Sequence, residues 1–291
     1  MSAGDVGRYW DSSHASDAAA DELLEHPIVQ GYVSLRAFGS TRGHMAVAIE
    51  EIERRTSPGA RMLSVGCGGA GKERAICRAL PDRTLLGMDI ATETLARMRS
   101  EIAEHGPANL ELAYGDFNAL DLEPNSYDVI LGLGAIHHVN ALEQFWQQCR
   151  RALRPGGVII AQEYVGPSRF QWTDTQLERA NEALREIVPP DQQGDEPVVV
   201  RVSADEVAAI DPSEAVRSDE ILATCRDSGL EITDYRGAGC GLIQPVLMDR
   251  VQRFDPRNWQ HNHVLFELFA REDRLIREGA VGDHYAMFVC G

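Results

Sequence analysis

The residues whose types and spacing suit chemistry begin with Gly66-Cys67-Gly68-Gly69-Ala70-Gly71. Glycines at this density let the backbone turn tightly and approach a ligand closely. A helix opening directly after them points its first N–H groups at that ligand. Asp89 stands 23 positions after Gly66. A carboxylate there can accept hydrogen bonds from both hydroxyls of a ribose. Gly66-x-Gly68-x-x-Gly71, with Ala75 at the small-residue position, also satisfies the dinucleotide fingerprint, so the loop alone leaves the cofactor open. Further along, His137 and His138 are adjacent. Histidine titrates near neutrality and suits proton transfer. Glu163 ends an apolar run, where a carboxylate is out of place unless paired or functional. It could be a base, an acceptor for a substrate hydroxyl, a metal ligand, or the partner of Arg169. Tyr164, Arg169, Phe170 and Trp172 follow it, and rings beside polar groups suit either a small acceptor or the packing of a lid.

These residues need a scaffold, and the hydrophobic pattern supplies one. Residues 1–55 read as a largely helical segment, with a two-faced helix over 46–55 stopped by Thr56-Ser57-Pro58-Gly59. From residue 56 to 165, strands at 61–65, 83–90, 110–114, 127–132 and 158–164 alternate with helices at 72–80, 91–105 and 141–153. Such alternation implies an α/β fold with a mostly parallel sheet and helices on both faces. Residues 166–212 break the pattern with a helix at 174–187 and a Pro- and Asp-rich loop, and read as an inserted lid. Residues 213–291 are expected to complete the sheet. They carry a helix over 213–228, a strand over 230–235, a helical insertion over 259–278, and a terminal antiparallel strand at an edge or penultimate position.

Two later signals narrow the cofactor. Gly115-Asp116-Phe117 follows the third strand, and Leu153-Arg154-Pro155-Gly156-Gly157 precedes the fifth. With the glycine loop and Asp89, these motifs resemble, in order, the class I SAM-dependent methyltransferases over roughly residues 61–164. The resemblance implies a seven-stranded Rossmann-like sheet and S-adenosyl-L-methionine (SAM) as cofactor. It places Gly66, Cys67 and Gly68 at the methionine and ribose, Asp89 on the ribose and Ile90 on the adenine. Asp116 would accept from the adenine amino group, and Phe117 would flank the ring. Leu133 completes the cofactor set at the end of the fourth strand. One position departs from the family: Ser64 stands where an acid is usual, two residues before the first glycine, and is expected to alter supporting contacts without abolishing binding.

In an open parallel sheet the ligand lies beyond the carboxyl ends of the strands. The acceptor is therefore expected beside His137, His138 and Glu163. Methyl transfer from a sulfonium needs an oriented acceptor and, for a hydroxyl, removal of its proton. His138 is the first candidate base and His137 the second. Tyr164, Arg169 and Trp172 are candidate acceptor contacts, as are Tyr9 and Trp10 from an N-terminal helix closing over the site. A weaker resemblance of 163–172 and 211–218 to methyltransferases of bacterial glycan and natural-product pathways points to O-methylation of a polar, sugar-containing molecule. N- or C-methylation remains a variant. An NAD-dependent oxidoreductase, or a SAM-binding protein without catalysis, remains a reading of another class.

Composition excludes several roles. The formal net charge of −17 over 291 residues repels a nucleic-acid backbone. The Arg150–Arg151–Arg154 cluster reads as the basic end of a helix. Six scattered cysteines without a CxxC pair suggest reduced core thiols in the cytoplasm, neither a disulfide framework nor structural zinc. His261 and His263 fall on different helix faces, and no metal site is expected. Residues 1–22 lack the regions of a secretory signal, and no apolar run nears the roughly 20 residues that cross a bilayer. The expected partner is a small-molecule substrate, with a homodimer as the candidate assembly and neither nucleic acid nor membrane.

Overall fold

The computed structural model describes residues 3–15 and 22–291. Residues 1–2 and 16–21 of the expected N-terminal helical segment lie outside the described residues. Helices α1 (Ala3–Ala15), α2 (Glu22–Glu25), α3 (Pro27–Phe38) and α4 (His44–Arg55) precede the sheet. Then β1 (Arg61–Val65), α5 (Gly71–Ala79), β2 (Thr84–Asp89), α6 (Thr92–His105), β3 (Leu110–Tyr114), β4 (Tyr127–Leu133), α7 (Leu142–Ala152) and β5 (Leu153–Tyr164) alternate as expected. The rest comprises α8 (Asp174–Ile187), α9 (Pro190–Gln193), α10 (Ala204–Ile210), α11 (Ile221–Asp227), β6 (Ile232–Cys240), α12 (Ile243–Leu247), α13 (Trp259–Arg277) and β7 (Asp283–Cys290).

The seven strands form one sheet in the order β3-β2-β1-β4-β5-β7-β6. The first five run parallel; β7 lies antiparallel between β5 and β6, the penultimate position. The order reverses between β1 and β4, so their carboxyl ends bound the crevice where ligands bind in such sheets. Parallel strands covered on both faces read as continuous apolar runs, and β1 and β4 are buried almost throughout. Leu63 and Val65 of β1 face a core shared with Phe145 and Trp146 of α7. Met62 faces the opposite core, shared with Ile76 and Cys77 of α5.

Residues after β5 have a core of their own. Trp172, Ala183 and Leu184 join Ile243, Val246, Leu265 and Leu268, with Leu23 and Val29 from α2 and α3. Two helices of this region start at reciprocal caps. The Thr173 hydroxyl accepts from the Gln176 N–H while the Gln176 side chain accepts from Thr173, and Ser203 and Glu206 repeat the arrangement.

Two local expectations change. The Arg154-Pro155-Gly156-Gly157 turn is absorbed into β5 as a bulge, since Tyr127 pairs with Leu153 while Val129 pairs with Val158. The helix expected over 213–228 starts late: a 3₁₀ turn at Ser218–Glu220 leads into α11. The backbone of 213–217 is bonded elsewhere. Val216 N–H donates to the His137 carbonyl at 3.1 Å, the Ala215 carbonyl accepts from Arg169 N–H at 2.7 Å, and Ala215 has φ 47°.

Candidate active site

The glycine loop turns as its composition demands. Gly66 and Gly68 have φ of 71° and 47°, values that L side chains rarely adopt. Gly66 also abuts Ala135, so a side chain there would clash. Cys67 is buried beneath the loop, and burial pushes its thiol up. Asp89, 6% exposed, holds the loop: Oδ2 accepts from Gly68 N–H at 2.8 Å and Oδ1 from Ala91 N–H at 2.9 Å. Each oxygen keeps a lone pair for a ribose hydroxyl. Asp116 Oδ1 accepts from Asn118 N–H at 2.9 Å, and Phe117 opens a short 3₁₀ turn with its ring edge near Gly66.

Ser64 Oγ donates to Glu73 Oε1 at 2.7 Å, and both residues are buried. A carboxylate from α5 is thus bonded to the serine that stands where an acid was expected. Burial raises the Glu73 carboxyl above its ordinary range, and its second oxygen has no hydrogen-bond partner. Lys72, one residue earlier, donates from Nζ to the Leu133 carbonyl at the end of β4. Its ammonium borders the crevice and suits a ligand carboxylate there.

Helix α1 lies across these elements. Gly7 packs against the Ile90 carbonyl, and the Asp11 carboxylate accepts from Thr94 N–H at 2.8 Å, capping α6 from outside. The His14 ring abuts Gly68, and Trp10 meets His138 edge-on with centroids 4.9 Å apart. Tyr9 and Trp10 thus lie beside the imidazole pair.

A cavity of ≈ 1130 Å³ opens between α1, the ends of β4 and β5, and the region after β5. Tyr9, Trp10, His137, His138, Glu163, Tyr164 and Trp172 all line it. Arg169 does not; its guanidinium donates to the carbonyls of Asp211, Pro212 and Glu214 at 3.2, 2.7 and 2.8 Å. Its work is to hold the 211–214 loop, so neither the expected acceptor contact nor an ion pair with Glu163 is present. Tyr164 is buried and its hydroxyl donates to the Pro167 carbonyl. Burial, then the Glu214 and Asp219 carboxylates, pushes that hydroxyl up.

Glu163 is fully enclosed and organises the reaction end. Oε1 accepts from the N–H groups of Ala135 and Ile136, both at 2.9 Å. Oε2 accepts from His137 Nδ1–H at 2.7 Å. Burial opposes the charged imidazole of His137, but this carboxylate outweighs burial and raises its pKa. His138 goes the other way: burial first, then the neighbouring His137, lowers it well below the usual range. Of the two rings, His137 is therefore the more basic and His138 the less. Ser213 Oγ lies 3.2 Å from His138 Nδ1, and Glu214 Oε1 lies 3.9 Å from His137 Nε2. Ser213, Glu214, Lys72 and Glu73 escape a reading of the chain alone. They are single polar residues within ordinary amphipathic stretches, and Ser64 was the one local sign that Glu73 had a role.

Residues 62–157 match the family of methyltransferase domains. This part of the chain is a class I, SAM-dependent methyltransferase domain. The glycine loop, Asp89, Lys72 and the Leu133 carbonyl fit that cofactor in donor type and in the space that only glycine leaves. The domain is 33% identical over 112 residues to a sterol 24-C-methyltransferase of Clavispora lusitaniae, covering 38% of this chain and 29% of that protein. It is 28% identical over 117 residues to a fatty-acid O-methyltransferase of Mycolicibacterium smegmatis, covering 40% of each. The chain thus spans less than half the length of these curated relatives. Geranyl diphosphate C-methyltransferase from Streptomyces coelicolor shares the fold around the methyltransferase domain, with a TM-score of 0.57 at 12% identity over 99% of this chain and 97% of that one.

Proposed function

We propose that the protein transfers the methyl group of SAM to a hydroxyl of an amphipathic small molecule held in the cavity, with residues 166–212 as its lid. The Glu163–His137 hydrogen bond at 2.7 Å carries this reading. With Nδ1–H given to Glu163, the lone pair of His137 is on Nε2, the geometry of a carboxylate-backed base. SAM supplies an electrophilic methyl when bound. The chain orients the acceptor, keeps it between Trp10 and the imidazoles, and takes its proton at His137 Nε2. This reverses the order of preference expected from the sequence, because His138 lacks a carboxylate bonded to its ring, and burial, then its neighbour, makes it the weaker base.

The cavity lining speaks for the acceptor's shape. Glu163, Asp211, Glu214, Gln162 and Gln244 gather polar groups, while Val198, Val199, Val200, Val202, Val207 and Ile210 line an apolar wall. A hydroxyl-bearing head with an apolar body fits this division better than a fully polar sugar. The same wall favours a second reading, methylation of a carbon in a largely apolar molecule, which the sterol methyltransferase relatives also support. The free, buried cysteines support a cytoplasmic setting. Among the described residues no helix is long and apolar enough to cross a membrane.

The test is SAH formation by the full chain with SAM across hydroxylated apolar acceptors, with product structure read by NMR. His137→Asn should lower kcat about 10²–10⁴-fold while SAH affinity holds within about threefold. Full turnover by H137N would remove His137 from the reaction; methyl on carbon would select the second reading.

A further inference from the structure

We propose that His137, His138 and Glu214 form a binding site for a borderline divalent cation of the Zn²⁺ or Fe²⁺ class, on the wall of the acceptor cavity. Each residue offers one donor atom, and these lie within 4.8 Å of one another. A cation with bonds of roughly 2.0–2.2 Å would draw them closer by a modest side-chain shift. Two imidazoles and a carboxylate select such ions over Mg²⁺ or Ca²⁺, which prefer oxygen alone.

The hydrogen bonds around the pair put both rings in the form a cation needs. Glu163 can only accept, so His137 Nδ1 carries the proton and Nε2 the lone pair. Ser213 Oγ donates to Asp211 Oδ1 at 2.9 Å, which leaves its own lone pair to accept from His138 Nδ1–H at 3.2 Å. His138 Nε2 is then a second lone pair. Outer-sphere carboxylates that fix imidazole tautomers in this way are a regular part of metal centres. Glu163 serves His137 directly, and Asp211 serves His138 through Ser213. Glu214 is brought up by the 211–216 loop, which Arg169 and the Val216 N–H to His137 carbonyl bond hold in place. The surrounding carboxylates of Glu163, Asp211 and Glu214 favour a cation electrostatically. Three protein donors facing a cavity leave positions for an acceptor oxygen, the pattern of catalytic metal centres. Chain order hides the trio, because Glu214 is remote from the histidines and falls within an expected helix.

This inference rests on the reading above only in placing the acceptor at the pair. A bound cation would polarise the acceptor hydroxyl so that its proton leaves to solvent through the open cavity, and His137 Nε2 would then be a ligand in place of the proton acceptor.

The experiment is titration of the chelator-treated full chain with Co²⁺ and Zn²⁺, following visible Co²⁺ bands and calorimetry, with SAH binding measured in parallel. Wild type should take up one equivalent, displaceable between the two ions. His138→Ala and Glu214→Gln should bind at least about 10-fold more weakly, and Glu163→Gln about 10–100-fold more weakly through its outer-sphere role, with thermal melts confirming that each variant is folded. No Co²⁺ or Zn²⁺ uptake by wild type, or uptake undiminished in both H138A and E214Q, overturns the site. SAH binding without metal uptake leaves the methyltransferase reading standing; a folded wild type that fails to bind SAH sinks that reading whatever the metal does.

Discussion

Ser64 and Glu73 form one buried unit across β1 and α5, with Ser64 Oγ donating to Glu73 Oε1 at 2.7 Å. The carboxylate comes from the helix that follows the glycine loop, and the serine on the strand is its anchor. Removing the anchor leaves a buried carboxyl with one partner fewer. Ser64→Ala should therefore cost about 1–3 kcal/mol of stability, read by urea unfolding without cofactor. Ser64→Asp should weaken SAH binding about 10-fold or more, since it sets two acids against each other in a buried space. The exchange S64D/E73S should recover most of that loss. If S64D binds SAH as well as wild type does, this buried pair has no part in the cofactor site.

Arg169 tests how far the 211–214 loop matters to the reaction. Its planar guanidinium reaches three carbonyls that a lysine ammonium cannot span together. Arg169→Lys should lower kcat about 10–100-fold by loosening Ser213 and Glu214 against the imidazoles. KM for SAM should stay within about twofold, because the loop's side-chain and backbone bonds run to Arg169 and the imidazole pair, while Asp89 and the glycine loop are bonded to each other. A change confined to thermal stability would mark Arg169 as packing only.

The acid limb of stability has an identifiable source. Burial alone would raise the Glu51 carboxyl, but hydrogen bonds from Arg54, Arg236 and Arg55 hold it at about 2, below its ordinary 4.5. A group depressed by folding stabilises the native state above its unfolded value and loses that contribution as pH falls towards its folded one. The Glu51 contribution should thus be complete above pH 4.5 and fade between 4.5 and 2. Melting temperatures of wild type and Glu51→Gln should differ most near neutrality and converge across that window. A difference that stays constant down to pH 2 would refute the assignment. Because Arg236 belongs to β6, loss of this pair also unties α4 from the sheet edge.

The cofactor crevice was legible because its determinants are local. A glycine turn, an acid closing the next strand and an acid after the third are set by adjacent residues and strand ends. The His137–His138 pair and Glu163 were legible for the same reason, being polar residues at the ends of apolar strands. What tertiary packing alone decides was not. Asp211-Pro212-Ser213-Glu214 looks like a helix start, yet its carbonyls accept from the Arg169 guanidinium, and the Val216 N–H that follows donates to the His137 carbonyl. Arg169 looked like an acceptor contact because its neighbours are aromatic, but its partners lie more than forty residues away along the chain.

Helix α1 is tied to α6 through a contact outside the cavity lining. Asp11 caps the N-terminus of α6 at Thr94, and a lost cap of this kind costs about 0.5–2 kcal/mol. Asp11→Ala should loosen α1 by that amount. The loss should appear as SAH binding weaker by up to about 10-fold, with faster hydrogen exchange over residues 3–15 and little change in global stability. Unchanged exchange in D11A would show that α1 is held by its aromatic contacts with the site.

The apolar wall makes the acceptor's class open to a single substitution. Ile210 ends α10 beside the cavity and is 74% exposed, so a charge there should leave stability within about 0.5 kcal/mol. An amphipathic acceptor lying along Val200, Val207 and Ile210 loses apolar contact and meets a carboxylate in Ile210→Glu. Burying one such side chain against a ligand is worth about 1.5–3 kcal/mol at most, so KM for that acceptor should rise roughly 10-fold while kcat holds. Mutating the wall leaves the imidazoles and Glu163 untouched, so a fall in kcat would mean that the acceptor's position at His137 depends on the lid as well as on its own head group. A highly polar acceptor makes the opposite prediction: its KM should be indifferent to I210E, because such a molecule gains nothing from an apolar wall. Steady-state kinetics of wild type and I210E on one apolar and one sugar-like hydroxyl compound therefore decide between the acceptor that the lid sequence suggested and the one that the cavity fits.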